Sequence, residues 1–325
     1  MSERTYAILG TGALGGFYGA RLQKACLDVH FLLNSDYEYV RENGLAIASP
    51  DGDFTLPQIQ AYRDIKHMPQ CDVVVIALKT THNHLLPQML PSVVKEDGVV
   101  LVLQNGLGVE EEVARIVGNE RVIGGICFLT SNKVGAGHIY HQGYKHIVFG
   151  EYAADYHPVG ITDRMEEIRY DFELAGIPIE LAPDLLLERW KKLVWNIPYN
   201  GLSVILNATT DELMADSHSL LLVEQVMHEV LLGAKSCDRI IPDSFIADML
   251  EHTAKLTTPY RTSMKIDYES RRPLEVETIF GNPLRKAIAA GANLPQITCI
   301  YQQLKFLDTK NSRLSQREVI KQCFL

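Results

Sequence analysis

The chain has 325 residues, of which 46% are hydrophobic and 22% charged, as in an ordinary globular protein. This length predicts two domains of roughly 150 residues each. The net charge of −9 argues against a broad nucleic-acid surface, because such a surface needs clustered Lys and Arg. No apolar run approaches the ~18 residues of a membrane span, so we expect no membrane helix.

The cysteines and the first residues indicate the compartment. The sequence enters a strand directly after Met-Ser-Glu-Arg, so we expect no signal peptide and a cytoplasmic protein. The scattered cysteines form no C-x-x-C pair, and we interpret them as reduced thiols. They are Cys26, Cys71, Cys127, Cys237, Cys299 and Cys323.

A short apolar strand, Tyr6–Leu9, leads into a glycine-rich turn, and a helix over Leu14–Lys24 and a strand over Val29–Leu33 follow. In such a unit the first Gly permits a tight turn, the second lets the backbone approach phosphate, and the third lets the helix pack closely. The motif alone is weak, but this context predicts a dinucleotide pyrophosphate at the helix N-terminus. The predicted cofactor contacts are Gly10, Thr11, Gly12, Ala13, Leu14 and Gly15.

The end of the second strand bears on the type of dinucleotide. Asp36 lies 21 residues beyond Gly15, close to the spacing of a carboxylate on the ribose diol, which would favour NAD(H). Asp36 can equally cap a helix over Tyr37–Glu42. No Arg occurs at 33–36 to bind a 2′-phosphate, and Arg41 lies about one helical turn (3.6 residues) too far along.

Two further buried strands, Asp72–Leu78 and Val99–Leu103, end in polar residues. Lys79 follows the first, and Gln104-Asn105-Gly106 follows the second. Ligands of open α/β sheets bind beyond the carboxyl ends of the strands, so Lys79 and Asn105 are candidate ligand contacts.

The remaining pattern gives the fold class. A helix over Val109–Val117 and a strand over Val122–Gly125 continue the alternation, and His138–His141 with His146–Gly150 suggest a β-hairpin. From Asp184 onward the pattern is helical. The sequence predicts an α/β Rossmann-type parallel sheet domain, residues 1–183, followed by an all-α C-terminal domain, residues 184–325. The predicted C-terminal helices include Leu213–Lys235, Pro242–Lys255, Val276–Ala290 and Gln296–Leu307.

One predicted helix carries a polar stripe. Lys192, Asn196 and Asn200 are spaced i, i+4 and i+8, which places them on one helix face among apolar neighbours. Burying a Lys and two Asn without partners is costly, so the stripe is explained if it faces a polar ligand. The alternative is a solvent-exposed stripe on an amphipathic helix. The histidines have no recognisable metal-ligand spacing, and no metal is expected.

Six motifs, in this order and at approximately these spacings, resemble the ketopantoate reductases (2-dehydropantoate 2-reductases) along nearly the whole chain. They are Gly10-Thr-Gly-Ala-Leu-Gly15, Ala77-Leu-Lys79-Thr, Gln104-Asn105-Gly106, Lys192-Leu-x-x-Asn196-x-x-x-Asn200, Thr262-Ser263-Met264 and Glu275.

The resemblance implies NADPH-dependent reduction of 2-dehydropantoate to (R)-pantoate, a step toward pantothenate and coenzyme A. It implies that Lys192 is the general acid and that Asn196 and Asn200 bind substrate. Further implied roles are a substrate-carboxylate contact for Ser263 and a nicotinamide-ribose contact for Glu275. Asn105 is implied to lie near the nicotinamide and to bind substrate as well. Thr210 stands where the family often has a substrate-binding Asn, with Asn207 as the alternative amide.

One departure concerns the cofactor. The family usually has an Arg that grips the 2′-phosphate where this chain has Asn34, so NAD(H) stays open beside NADP(H). Alternative functions are an NAD(P)-dependent D-2-hydroxyacid dehydrogenase acting on another 2-keto acid, and a dinucleotide-binding redox sensor without turnover. The prevalence of two-fold assemblies favours a homodimer.

Overall fold

The computed structural model describes residues 3–256 and 259–323, with side chains to residue 313. It forms two compact units: one holds the residues up to Gln104 and Val109–Glu188, and the other holds Asn105–Gly108 and the residues from Arg189. None of the helices in the described ranges is long and apolar enough to cross a membrane. The five cysteines with described side chains are free thiols, and Cys323 lies outside them.

The first unit is built on strands that alternate with helices. Its helices are α1 (Ala13–Lys24), α2 (Tyr37–Asn43), α3 (Leu86–Val93), α4 (Val109–Val117) and α5 (Asp163–Leu174). Its strands are β1 (Thr5–Leu9), β2 (Asp28–Leu32), β3 (Leu45–Ala48), β4 (Phe54–Leu56), β5 (Gln60–Tyr62), β6 (Cys71–Ile76), β7 (Val94–Val102), β8 (Val122–Cys127), β9 (Thr130–Gly135), β10 (His138–Gly143), β11 (Ile147–Glu151) and β12 (Ile179–Ala182).

The main sheet has eight strands in the order β12-β11-β8-β7-β6-β1-β2-β5. Strands β5, β2, β1, β6, β7 and β8 are parallel, and β11 is antiparallel to β8. The strand order reverses between β1 and β6, which is the switch point where such sheets bind dinucleotides. The predicted α/β Rossmann-type sheet followed by helices is confirmed.

The β-branched run that predicted β6 explains its central place. Val73, Val74, Val75 and Ile76 are at most 1% exposed, so both faces of this strand are covered. Only a strand that is apolar on both faces can occupy such a position without burying polar groups. Helix α1 buries Phe17, Tyr18 and Leu22 in the same core.

The predicted hairpin of His138–His141 with His146–Gly150 is wrong. Strand β10 pairs with β3 and β9 in a four-stranded sheet, whereas β11 pairs with β8 and β12 in the main sheet. The chain changes sheets at the turn around Tyr144, where φ is +52°. His141 fixes this crossing, since its ring bonds the Ser49 hydroxyl at 2.8 Å and the Tyr144 carbonyl at 2.6 Å.

The second unit is helical. The predicted helix Leu213–Lys235 is interrupted at Asp216, whose carboxylate accepts the N–H groups of His218 and Ser219 and so starts a new helix. The predicted helix Val276–Ala290 contains a π-helical turn, Glu277–Gly281. The helices are α6 (Leu185–Ile205), α7 (Thr210–Ala215), α8 (Ser217–Ser236), α9 (Ser244–Ala254), α10 (Ser263–Glu269), α11 (Asn282–Ala289) and α12 (Pro295–Cys323).

Candidate active site

Each of the three glycines in the Gly10–Gly15 turn is required for a different structural reason. Gly10 has φ +101°, and a Cβ there would lie 2.6 Å from the Leu78 nitrogen; a Cβ on Gly15 would lie 2.3 Å from the Gly10 carbonyl oxygen. Gly12 has an extended φ of −87°, and a Cβ there would meet no described atom within 4 Å. The space in front of Gly12 therefore fits a ligand that approaches the backbone. Helix α1 has no side-chain cap and no acidic residue in its first turn, which suits an anion.

Neighbouring residues hold the glycine turn against β2 and β9. The Thr11 hydroxyl donates to the Leu32 carbonyl at 2.9 Å, and the Ser131 hydroxyl donates to the Ala13 carbonyl at 3.4 Å. Leu14 packs against the hydrophobic core. The turn is thus fixed at the carboxyl edge of the sheet, with its backbone at Gly12 accessible.

Asp36 is held by protein groups in the structure. Its carboxylate lies 2.5 Å from Lys133 Nζ and accepts the Gly137 N–H at 3.1 Å and the Ser35 hydroxyl at 3.1 Å. Burial alone would raise the pKa of Asp36, but the bonds from Lys133 and Gly137 outweigh it and hold the pKa below its usual value. Asp36 occupies the N-cap position of α2 but makes no side-chain cap bond, so the alternative that it caps this helix is wrong. Asn34, by contrast, is exposed.

The structure brings Lys79 close to the glycine turn. Gly10 contacts Ala77 and Leu78, and Lys79 follows them as the N-cap residue of a 3-10 turn, Thr80–Leu85. The Lys79 side chain is half-buried. This adjacency is what the switch point between β1 and β6 produces.

Asn105 lies in a loop that belongs to the helical unit. Within this loop the Leu107 N–H donates to the Thr278 carbonyl at 2.8 Å, and the Asn282 amide donates to the Leu107 carbonyl at 2.8 Å. Gly106 has φ +96°, and a Cβ there would lie 2.3 Å from the Thr278 oxygen. The π-helical turn after Glu275 thus anchors Asn105–Gly108. Glu275 itself is 5% exposed.

The predicted polar face of α6 is mainly buried rather than solvent-exposed. Lys192 is half-buried, Asn196 is 4% exposed and Asn200 is 2% exposed. The Asn200 side-chain oxygen accepts the Met264 N–H at 3.3 Å, which leaves its NH₂ group directed elsewhere. No hydrogen bond of the Asn196 amide occurs within the described ranges. The amide atoms are not among the fully buried polar atoms without a partner, so they keep some accessible surface through which a ligand can bind them.

Ser263 and Thr210 differ in accessibility. Ser263 is exposed at the start of α10, which Asn200 and Ser203 hold; the Ser203 hydroxyl lies 3.0 Å from that of Thr262. Thr210 is 1% exposed, and both its N–H and its hydroxyl donate to the Tyr260 carbonyl, at 3.0 and 3.4 Å. This geometry favours a role for Thr210 in holding the Tyr260 segment. The alternative amide, Asn207, accepts a hydrogen bond from Lys265.

Sequence reasoning missed His252, which lies near Lys192. The adjacent residue of α9, Thr253, accepts the Trp195 indole N–H at 2.9 Å and so ties α9 to α6. Burial, followed by the charges of Lys192 and Lys255, lowers the pKa of His252 below its ordinary value. Nothing in the sequence indicated this, because His252 lies 60 residues beyond Lys192 and belongs to no motif.

We expect His252 to make the protein acid-sensitive. Its pKa in the folded state lies below that in the unfolded chain, so stability is complete above the ordinary value of 6.5 and is lost as pH falls below it. Thermal midpoints at about pH 7.5 and 5.5 should therefore differ more in the wild type than in His252→Asn. Equal shifts in the two proteins would contradict this assignment.

A glycine turn at the switch point of a parallel sheet is a feature of dinucleotide-dependent oxidoreductases, and the helical unit carries a buried polar face on α6. Among the described residues, no cluster of His, Cys, Asp or Glu could hold a metal ion. The family model described as ketopantoate reductase PanE/ApbA matches residues 6–154, and the model of its C-terminal part matches residues 184–308. The chain belongs to the ketopantoate reductase family, whose members depend on NAD(P)H.

Individual relatives agree with this assignment. A 2-dehydropantoate 2-reductase of Nostoc sp. (strain PCC 7120) is 68% identical over 311 residues, 96% of this chain and 97% of the relative. The crystal structure of a 2-dehydropantoate 2-reductase from Geobacter metallireducens GS-15 is 40% identical, with a TM-score of 0.88 over 93% of this chain and 99% of that one. A D-mandelate dehydrogenase bound to NADH and anilino(oxo)acetate shares the fold at 19% identity and a TM-score of 0.85, over 94% and 99% of the chains.

Proposed function

We propose that this chain reduces 2-dehydropantoate to (R)-pantoate with NADPH. The observation that carries the proposal is the buried α6 face, where Asn196 has its amide available in a 4%-exposed position beside Lys192 and Asn200. A redox sensor without turnover would gain nothing from this face. In this proposal residues 1–183 bind the cofactor and residues 184–325 bind the substrate.

The residues suit reduction of a 2-keto acid. The bound cofactor would supply a hydride to the keto carbon, and negative charge would develop on the keto oxygen. The Lys192 ammonium stabilises that charge and donates its proton to the oxygen. The Asn196 and Asn200 NH₂ groups hold the keto acid in one orientation, which lowers the entropic part of the barrier. The exposed Ser263 hydroxyl contacts the substrate carboxylate.

Further residues would hold the cofactor. The turn from Gly10 to Gly15 contacts the pyrophosphate, Lys79 lies at the adjacent strand end, and Asn105 and Glu275 contact the nicotinamide riboside. The open space at Gly12 and the uncapped N-terminus of α1 support the pyrophosphate site. For Thr210 we retain substrate binding as a proposal, although its hydroxyl is engaged with Tyr260.

Steady-state kinetics with NADPH and NADH against ketopantoate, pyruvate and a bulkier 2-keto acid tests the proposal. Ketopantoate should have the highest kcat/KM. Efficient turnover of another 2-keto acid, with none of ketopantoate, would instead identify a D-2-hydroxyacid dehydrogenase. Asn34, where the family usually has Arg, is the observation that favours this second candidate.

Replacing Asn34 by Arg should raise the preference for NADPH over NADH by about tenfold, since a guanidinium binds phosphate in a bidentate manner. The residue is exposed and can be changed without disturbing the core. The ratio of kcat/KM values for the two cofactors measures the effect. Asn34→Gln is the matched control, and an equal ratio in both variants would contradict the expectation.

We also propose a cytoplasmic homodimer. Two-fold assemblies are the commonest oligomers, and a reductase that uses nicotinamide cofactors needs access to their intracellular pool. Light scattering coupled to size-exclusion chromatography should give twice the chain mass of 36.5 kDa. The mass of a single chain, measured at micromolar concentration, would contradict the proposed dimer.

A further inference from the structure

Strand β9 contacts both the glycine turn and the segment that follows β2. Ser131 and Lys133 are two residues apart in a regular stretch of β9, opposite His141 and Ile139, so they share one face. Ser131 contacts Ala13 in the pyrophosphate turn, and Lys133 contacts Asp36 after β2. One strand therefore connects the phosphate end to the ribose end of the predicted site.

Asp36 places the Lys133 ammonium at that ribose end. The Asp36 side chain is 8% exposed and accepts from three donors, so it is engaged by the protein rather than directed at a ribose. The Lys133 side chain is 34% exposed. An ammonium has three N–H donors, and the bond to Asp36 uses one of them. The remaining donors are available to an anion beside Asn34 and Ser35.

We propose that Lys133, positioned by Asp36, contacts the 2′-phosphate of NADPH. It supplies the cation that an Arg usually supplies in this family at the position where this chain has Asn34. This inference rests on the proposed function, which assigns NADPH to the site. The pairing also neutralises Asp36, whose bare carboxylate would repel a 2′-phosphate. The chain thereby selects NADPH with a cation from β9 instead of one from the end of β2.

Two other cations lie near the end of β2. Arg63 follows β5 and lies 3.3 Å from Glu38, and Arg41 lies 3.8 Å from the same carboxylate. Arg41 is a residue of α2, and Arg63 directly follows β5. The carboxylate that both of them contact, Glu38, is 60% exposed. Lys133 alone among the three shares a strand face with a residue that contacts the pyrophosphate turn. Arg63 therefore provides the matched control.

Calorimetric titration with adenosine 2′,5′-bisphosphate and with 5′-AMP tests the assignment without turnover. Lys133→Met should weaken bisphosphate binding by about tenfold or more, the usual effect of losing a charge-assisted bond, and leave 5′-AMP unchanged. Lys133→Arg should retain the preference, and Arg63→Met should resemble the wild type. Because Lys133→Met leaves a buried carboxylate without its cation, the double variant D36N/K133M provides a second test, and it should show the same loss.

Several results would overturn the inference. They are an unchanged bisphosphate preference in both Lys133→Met and D36N/K133M, loss of the preference in Arg63→Met, or a wild type that does not prefer the bisphosphate to 5′-AMP. If the wild type prefers the bisphosphate through Lys133 but does not reduce ketopantoate, the inference about Lys133 is supported. Only the proposal that ketopantoate is the substrate is then contradicted.

Discussion

Replacement of Lys192 by alanine should lower kcat by about 10²–10⁴-fold, the range over which a positioned general acid acts. Lys192 is the cation on the polar face of α6, one turn before the buried Asn196. In the proposed mechanism, loss of this ammonium removes the cation that stabilises charge on the keto oxygen and the group that donates the proton. The dissociation constant of the cofactor should change little, because the proposed pyrophosphate site lies in the first unit.

Single-turnover and steady-state kinetics measure this loss, and circular dichroism checks the fold. Lys191→Ala is the matched control, because this half-buried neighbour points about 100° away around the helix. It should retain activity within a few-fold of the wild type. A similar small loss in both variants would exclude Lys192 as the general acid.

Alanine at Gly15 should lower the stability of the fold, whereas alanine at Gly12 should lower the affinity for the cofactor. At Gly15 a Cβ lies 2.3 Å from the Gly10 carbonyl oxygen and 2.8 Å from the Ala77 Cβ, so the helix must move away from the sheet. We expect a loss of roughly 2–4 kcal/mol in the free energy of unfolding, the upper range for overpacking. At Gly12 the Cβ meets no described atom within 4 Å, so stability should be unchanged.

The Gly12→Ala variant should instead lose cofactor affinity by at least about tenfold, since its methyl group occupies space the pyrophosphate needs. Urea denaturation and NADPH titration separate the two effects. Gly143→Ala, whose Cβ also meets no described atom within 4 Å, is the control and should change neither quantity. Undiminished affinity in Gly12→Ala would mean that the pyrophosphate lies elsewhere.

Several elements of the first unit were predictable because their signals are local. The apolar run Val73–Ile76 predicts a strand that is buried on both faces. The apolar residues of Val109–Val117 recur with the helical period of 3.6 residues, which predicts α4. The pairing of each strand with its neighbours in a sheet could not be predicted, because it depends on residues that are distant in the sequence. The alternation around β10 and β11 indicates two strands, but it says nothing about their belonging to different sheets.

The candidate site shows the same division. The spacing of Lys192, Asn196 and Asn200 predicts a shared helix face, whereas only folding shows that the Asn200 oxygen is engaged by Met264. The π-helical turn that anchors Leu107 was likewise not predicted, because the sequence pattern indicated only a continuous helix over Val276–Ala290.

The sequence by itself determined the glycine turn, the alternating strands and helices, and the residue types that reduction of a keto acid requires. These follow from backbone sterics and from side-chain periods of two and 3.6 residues, which act over short stretches of chain. Only the tertiary structure decided the role of Asp36, because Lys133 of β9 and Gly137 of the turn after β9 are distant from it in the sequence. A carboxylate that sequence spacing offered to a ribose is instead neutralised by a lysine, since a buried charge must find its partner wherever the fold supplies one.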